Sequence, residues 1–162
     1  MKQLIVKQPY DYELLDCGNG NRFERFGQRY LIRPDTSCLW RPTVDNWHPI
    51  DAEFNEKWQS QNKNDWIISL GKHNNYDLKM TLGFGTSKNI GWFPEMEAHW
   101  PWLKEAIQIN KKSTPRILNL FGHTGSTTLY LAAHGAAVTH VDASRPAINR
   151  AVKNQALSGL DQ

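Results

Sequence analysis

The stretch R-I-L-N-L-F-G-H-T-G-S-T-T-L-Y-L-A-A-H-G-A-A-V-T-H-V-D, residues 116–142, constrains the fold of this chain more than any other segment. An apolar run from Arg116 to Phe121 meets a turn, Gly122 to Ser126, that holds two glycines. Thr127 to His134 has helical spacing and stops at Gly135. Ala137 to Val141 is a second apolar run, and it ends in Asp142. Ser144 is placed to cap a following helix and Pro146 suits its first turn. Ala147, Ile148, Ala151, Val152, Ala156 and Leu157 then recur at helical spacing up to Gly159. Strand, helix, strand, helix in this order predicts a parallel pair joined by right-handed crossovers, the opening of a Rossmann-like sheet.

The residues before the polar hinge Lys111–Pro115 read differently. Tyr12 to Asp16 and Arg22 to Gly27 are runs of strand formers around Gly18-Asn19-Gly20-Asn21, a hairpin signal because Asn-Gly adopts positive φ at little cost. Gln28 to Arg33 adds a third strand, stopped by Pro34. Trp40-Arg41-Pro42 is expected to be extended. Trp66 to Leu70 and Tyr76 to Leu82 form a second pair across a polar stretch, Gly71 to Asn75, and Gly83 to Gly91 reads as a loop. Pro94 to Ile109 is expected to be a helix broken or kinked at Pro101. The fold class is therefore α/β, with a β-rich N-terminal domain over 1–110 and a partial Rossmann-like domain over 111–162.

Composition narrows the setting. The chain has 162 residues, 40% hydrophobic, with a net charge of +3 that is too mild to argue for nucleic acid alone. No apolar run is long enough to span a membrane, and Leu4 to Val6 is too short for a signal-peptide core. Cys17 and Cys38 are unpatterned, which suits reduced interior residues and a cytoplasmic location. No H-E-x-x-H or C-x-x-C occurs, so no metal site is expected. All 7 tryptophans precede residue 103 and suit either core filling or a surface that stacks on bases.

The chemistry lies in the glycine turn and Asp142. Glycine lets a backbone approach a ligand closely, and a carboxylate after the second strand can take two ribose hydroxyls. Two classes of adenosine cofactor compete for that geometry. A dinucleotide wants G-x-G-x-x-G, so that a pyrophosphate rests on the helix N-terminus. Here Phe121-Gly122-His123-Thr124-Gly125 lacks the third glycine. S-adenosylmethionine carries no pyrophosphate, and the looser turn favours it. A structural half without ligand, Asp142 merely starting a helix, is the remaining alternative.

The run N-L-F-x-x-T-G (119–125), then G-A-x-V-T-H-V-D-A-S (135–144) and A-x-x-x-A-x-x-N-x-x-L-S-G-L (147–160), resembles class I S-adenosylmethionine-dependent methyltransferases. Within them the chain looks most like the group around ribosomal RNA large-subunit methyltransferases I and K. The front half carries the same likeness in residues 12–27, R-P-D (33–35), L-W (39–40) and G-W-F-P-E (91–95). The resemblance implies that Asn119, Phe121, Gly122, Thr124 and Gly125 form the methionine-side turn. It implies that Asp142 holds the ribose, with Ala143 and Ser144 beside the adenine, and that Phe93, Pro94 and Glu95 belong to a segment that closes over the cofactor.

The family's catalytic motifs follow the second helix of the sheet, and neither Cys17 nor Cys38 occupies a catalytic position of its cytosine-C5 members. The expectation is thus a truncated, N-terminal portion of a methyltransferase acting on RNA, without catalytic residues of its own. It would be marginally stable alone or completed by another, C-terminal chain. A non-enzymatic module that binds RNA or a partner is the alternative, motivated by Arg22, Arg25, Arg29, Tyr30 and Arg33. A nicotinamide-dependent oxidoreductase survives only through the β-α-β-acid pattern.

Overall fold

The computed structural model describes residues 11–108 and 113–160. Strands β1 (Tyr12–Gly18), β2 (Asn21–Phe26) and β3 (Arg29–Pro34) form an antiparallel meander. Asn19 and Gly20 make the two-residue turn between β1 and β2, with φ of 51° and 79°. That double positive φ matches the right-handed twist of the strands, as the Asn-Gly pair predicts.

Two further strands extend this sheet that local pattern does not reveal. β4 (Ala52–Asn55) pairs in parallel with β3, and β5 (Lys57–Ser60) pairs antiparallel with β4. Both are four residues long, and only Ala52 and Trp58 in them are buried. Their mostly polar sequence lacks a clear alternation, and the pairing of Leu31 with Ala52 is a long-range contact. The second hairpin is longer than expected. β6 (Trp66–His73) runs through Gly71 with a register irregularity between Ser69 and Lys72, so the turn to β7 (Tyr76–Leu82) is only Asn74-Asn75.

The helix expected over 94–109, broken or kinked at Pro101, is two elements. Pro94–His99 is a 3-10 helix, and α1 (Trp100–Gln108) follows it. Pro101 falls in the first turn of α1, where its missing N–H has no partner to lose, so it starts the helix instead of kinking it. Ile109 lies outside the described residues.

The C-terminal part is β8 (Arg116–Leu120), α2 (Ser126–Ala133), β9 (Ala137–Val141) and α3 (Arg145–Leu157). β8 and β9 pair in parallel from Arg116–Ala137 to Leu120–Val141. β8 stops one residue earlier than its apolar run because Phe121 turns to φ 55°. Ser144 caps α3, its hydroxyl accepting the Ala147 N–H at 3.3 Å.

One hydrophobic cluster joins the front strands to α2: Phe26, Leu31, Trp58, Leu70, Leu78, Met80, Trp92, Trp100, Leu129 and Tyr130 belong to it. Trp58, Trp92 and Trp100 thus fill the core, whereas Trp40 and Trp102 are exposed. The buried face of α3 also departs from the apolar spacing. Ala147, Ala151, Asn154 and Ser158 are buried, and Val152 is 59% exposed. The polar members of that face meet the backbone of β7, which offers N–H and C=O groups that leucine could not satisfy. The outer face of the β8–β9 pair is open, with Leu118, Leu120 and Val141 exposed.

Candidate functional site

The β8–α2 turn is shaped by its own backbone. Phe121, His123 and Gly125 all have positive φ, and the Gly125 N–H donates to the Gly122 carbonyl at 3.0 Å. Gly122 N–H donates to Val141 O at 3.0 Å, tying the turn to the end of β9. Asp142 completes that tie. Its Oδ2 accepts the His123 N–H at 2.8 Å, and its Oδ1 accepts the Ser144 N–H at 2.8 Å. These two backbone donors, Ser144 foremost, hold the carboxyl below the usual range. The acid that ends β9 is therefore ionised at neutral pH and fixed beside the turn that ends β8.

Glycine is required at 122 by packing. A Cβ there would fall 2.4 Å from the His140 ring. That ring is held in turn by Thr128, whose hydroxyl lies 2.8 Å from His140 Nδ1 and accepts from Asn119 Nδ2 at 2.8 Å. The chain Asn119–Thr128–His140 braces the floor of the turn.

A cavity of about 370 Å³ opens in front of it, a size typical of small-molecule sites. Phe93, Asn119, Phe121, Gly122 and Thr124 line it, so five of the expected residues converge on one space. Asp142 is linked to that wall through the His123 amide. The other five stand elsewhere. Pro94 is buried at the start of the 3-10 helix, Glu95 and Ala143 are exposed, and Ser144 spends its hydroxyl on the α3 cap. Gly125 is packed against Ala151 behind the turn.

Sequence reasoning missed Trp92, Met96, His123, Ser126 and Thr127, which also line the cavity. His123 sits inside the motif, and its ring lies 5.1 Å from that of Phe93. Burial pushes its imidazole below the usual histidine range. Ser126 and Thr127 open α2, as residues after a glycine turn must. Met96 carried no signal. It joins Phe93 at the cavity only because a 3-10 helix brings positions three apart onto one side.

The arginines of the front strands are engaged within the fold. Arg33 donates to both oxygens of buried Glu24, at 2.7 and 2.8 Å, and Arg22 lies 3.2 Å from Asp35. Arg25 donates to Gly27 O at 2.9 Å, and Arg29 lies 4.4 Å from the centre of the Trp66 ring. No group of three or more His, Cys, Asp or Glu side chains is placed to hold a metal among the described residues. Nor is any helix among them long and apolar enough to cross a membrane.

No family model matches the chain. A solved structure does, over nearly its whole length. It is a SAM-dependent methyltransferase from Agrobacterium tumefaciens, 38% identical, with a TM-score of 0.86 over 97% of this chain and 51% of that one. The fold is a methyltransferase fold. A candidate SAM-dependent methyltransferase from Streptococcus mutans shares the fold at 13% identity and a TM-score of 0.59, covering 94% of this chain and 44% of that one. The chain thus spans about half the length of each of these two structures. Within the methyltransferase fold, the cavity lies where a parallel α/β sheet places its ligands, at the carboxyl end of a strand, here β8.

Proposed function

We propose that this chain binds S-adenosylmethionine in the cavity at the β8–α2 turn and belongs to a methyltransferase acting on RNA. One observation carries the reading: a glycine turn clamped through a backbone amide to the acid that ends the second strand. The 38% identity to a SAM-dependent methyltransferase supports it.

The residues present fit the cofactor. Each Asp142 oxygen accepts one backbone N–H and keeps a second lone pair for a ribose hydroxyl. Gly122 offers bare backbone, which a side chain could not do against His140. Asn119 and Thr124 supply polar groups on the methionine side, and Phe93, Met96 and Phe121 provide apolar walls that exclude water. When bound, the cofactor supplies an electrophilic methyl group on its sulfonium. The role of this chain is to hold that group in a fixed orientation.

RNA as the substrate class rests on the likeness of 12–27, 33–35, 39–40 and 91–95 to the ribosomal RNA methyltransferase group. A cytoplasmic site of action goes with it. A complementing chain or segment against the exposed Leu118, Leu120 and Val141 belongs to the same reading, because parallel sheets are normally covered on both faces.

Isothermal titration with S-adenosylhomocysteine tests the cofactor site. Wild type is expected to bind, and Asp142→Asn to bind about 10- to 100-fold more weakly, as the loss of charge-assisted hydrogen bonds requires. No heat of binding from the wild type would refute the site. Filter binding of ribosomal RNA across salt concentrations tests the substrate class. Affinity that falls steeply with salt supports phosphate contacts, whereas a flat response counts against RNA.

A further inference from the structure

We infer that Thr124 and Asn154 are positioning residues that join the cofactor turn, the Gly91–Phe93 wall and the β6–β7 hairpin into one cooperative unit, so that a ligand in the cavity tightens β7. The inference rests on the reading of that cavity as the S-adenosylmethionine site.

Three side chains spaced four apart, two on α3 and one at its C-cap, grip the front half. Arg150 Nη1 donates to Ile90 O at 3.3 Å, and Ser158 Oγ accepts the Lys79 N–H at 3.0 Å. Between them Asn154, fully buried, uses both ends of its amide. Its Oδ1 accepts the Thr81 N–H of β7 at 2.8 Å, and its Nδ2 donates to the Thr124 carbonyl of the turn at 2.9 Å. One side chain therefore bridges the β6–β7 hairpin to the glycine turn.

Thr124 closes the circuit. It is 4% exposed, and its hydroxyl donates to the Gly91 carbonyl. Gly91 opens the segment that carries Phe93, a wall of the cavity. The position accepts only glycine: its φ is 111°, and a Cβ would sit 2.8 Å from Arg150 Nη1. The turn, the Gly91–Phe93 wall, β7 and α3 are thus linked by directional hydrogen bonds around one residue.

A ligand that touches Thr124 and Phe93 together binds only the docked arrangement. By linkage it must stabilise that arrangement, including β7, which it does not touch. A turn that held the ligand by itself would leave β7 indifferent. The clip to the Gly91–Phe93 wall is specific to one hydroxyl, since valine has nearly the shape of threonine but cannot donate to Gly91 O, whereas the link to β7 runs through Asn154 and the Thr124 carbonyl.

Hydrogen exchange of the full chain, with and without S-adenosylhomocysteine, tests the idea. In the wild type the ligand is expected to slow exchange both in 119–127 and in peptides covering Thr81–Gly83. Thr124→Val is expected to weaken binding about tenfold, the equivalent of one buried hydrogen bond, and to lose the ligand response at Gly91–Phe93, while β7, still held through Asn154, keeps its own. Thr124→Ser keeps the hydroxyl and restores both binding and the Gly91–Phe93 response. Protection confined to 119–127 in the wild type, or an intact Gly91–Phe93 response in Thr124→Val, would overturn the inference. A second arm needs no ligand. Unliganded Thr124→Val is expected to exchange faster than Thr124→Ser at Gly91–Phe93, and equal rates refute the clip. A wild type that binds no S-adenosylhomocysteine refutes the site itself, and the unliganded arm still decides the clip.

Discussion

Asn154 offers the sharpest test of how the two halves hold together. Replacing it with alanine strands two backbone groups, the Thr81 N–H and the Thr124 carbonyl, at a position with no solvent exposure. An orphaned buried polar group costs roughly 1–3 kcal/mol. The two together should cost about 2–6 kcal/mol, a large share of the roughly 5–15 kcal/mol that stabilises a typical domain. Asn154→Asp sharpens the test. Its Oδ1 still accepts from Thr81, but an anionic oxygen replaces the donor that faced Thr124 O. That carboxyl should titrate above its unfolded value, so its neutral form favours the fold. The stability of the variant should therefore be highest at low pH and fall as pH rises through its folded pKa. Urea unfolding followed by tryptophan fluorescence, at several pH values and with an unchanged denaturant slope, measures both effects. A loss below about 0.5 kcal/mol for Asn154→Ala, of the size seen for ordinary surface changes, would refute the reasoning. So would an Asn154→Asp variant whose stability relative to wild type ignored pH.

Glu24 and Arg33 form a buried two-bond pair, and Glu24 also accepts from the Tyr12 hydroxyl at 2.9 Å. Glu24→Ala should cost about 3–5 kcal/mol by leaving Arg33 charged and buried, and Glu24→Leu with Arg33→Met should recover most of it. Guanidinium denaturation of the single and double variants checks this. Glu97 is buried, its carboxyl pushed up to about 7 by that burial, and its Oε1 has no hydrogen-bond partner among the described residues. Its folded pKa exceeds its unfolded value. Its contribution to stability is therefore complete below about pH 4.5, and it declines as pH rises through 7. Glu97→Gln should flatten that decline and raise the melting temperature at pH 8 by about 5 °C. A calorimetric series from pH 4 to 8 in which wild type and variant run parallel would contradict it.

The C-terminal part was legible in the sequence because its signals are local. A strand, a glycine turn, a helix with a cap and a second strand each announce themselves within a few residues, and β9 falls on Ala137–Val141 as its apolar run does. The Asn-Gly hairpin was legible for the same reason. The illegible parts depend on partners far along the chain. β4 exists because its backbone pairs with β3, and Met96 reaches the cavity because a 3-10 helix precedes α1. The spacing of α3 predicts an apolar buried face, yet Asn154 and the C-cap Ser158 lie on it because it packs on strand backbone.

By itself the sequence determined the β-α-β-α order, the position of Asp142 at the end of the second strand, and the glycine turn, since these follow from periodicity and φ preference. Only the tertiary structure decided which of the expected residues meet. It gathered Phe93 with Asn119, Phe121, Gly122 and Thr124, left Pro94, Gly125 and Ser144 to packing or capping, and left Ala143 exposed. It also decided that the front half forms one wall of the cavity, through the Thr124 hydroxyl on Gly91 and the Asn154 amide between β7 and the turn. The physical reason is that a hydrogen bond between residues 73 positions apart, as from Thr81 to Asn154, leaves no trace in local pattern. It forms only when the apolar core has brought its two ends together.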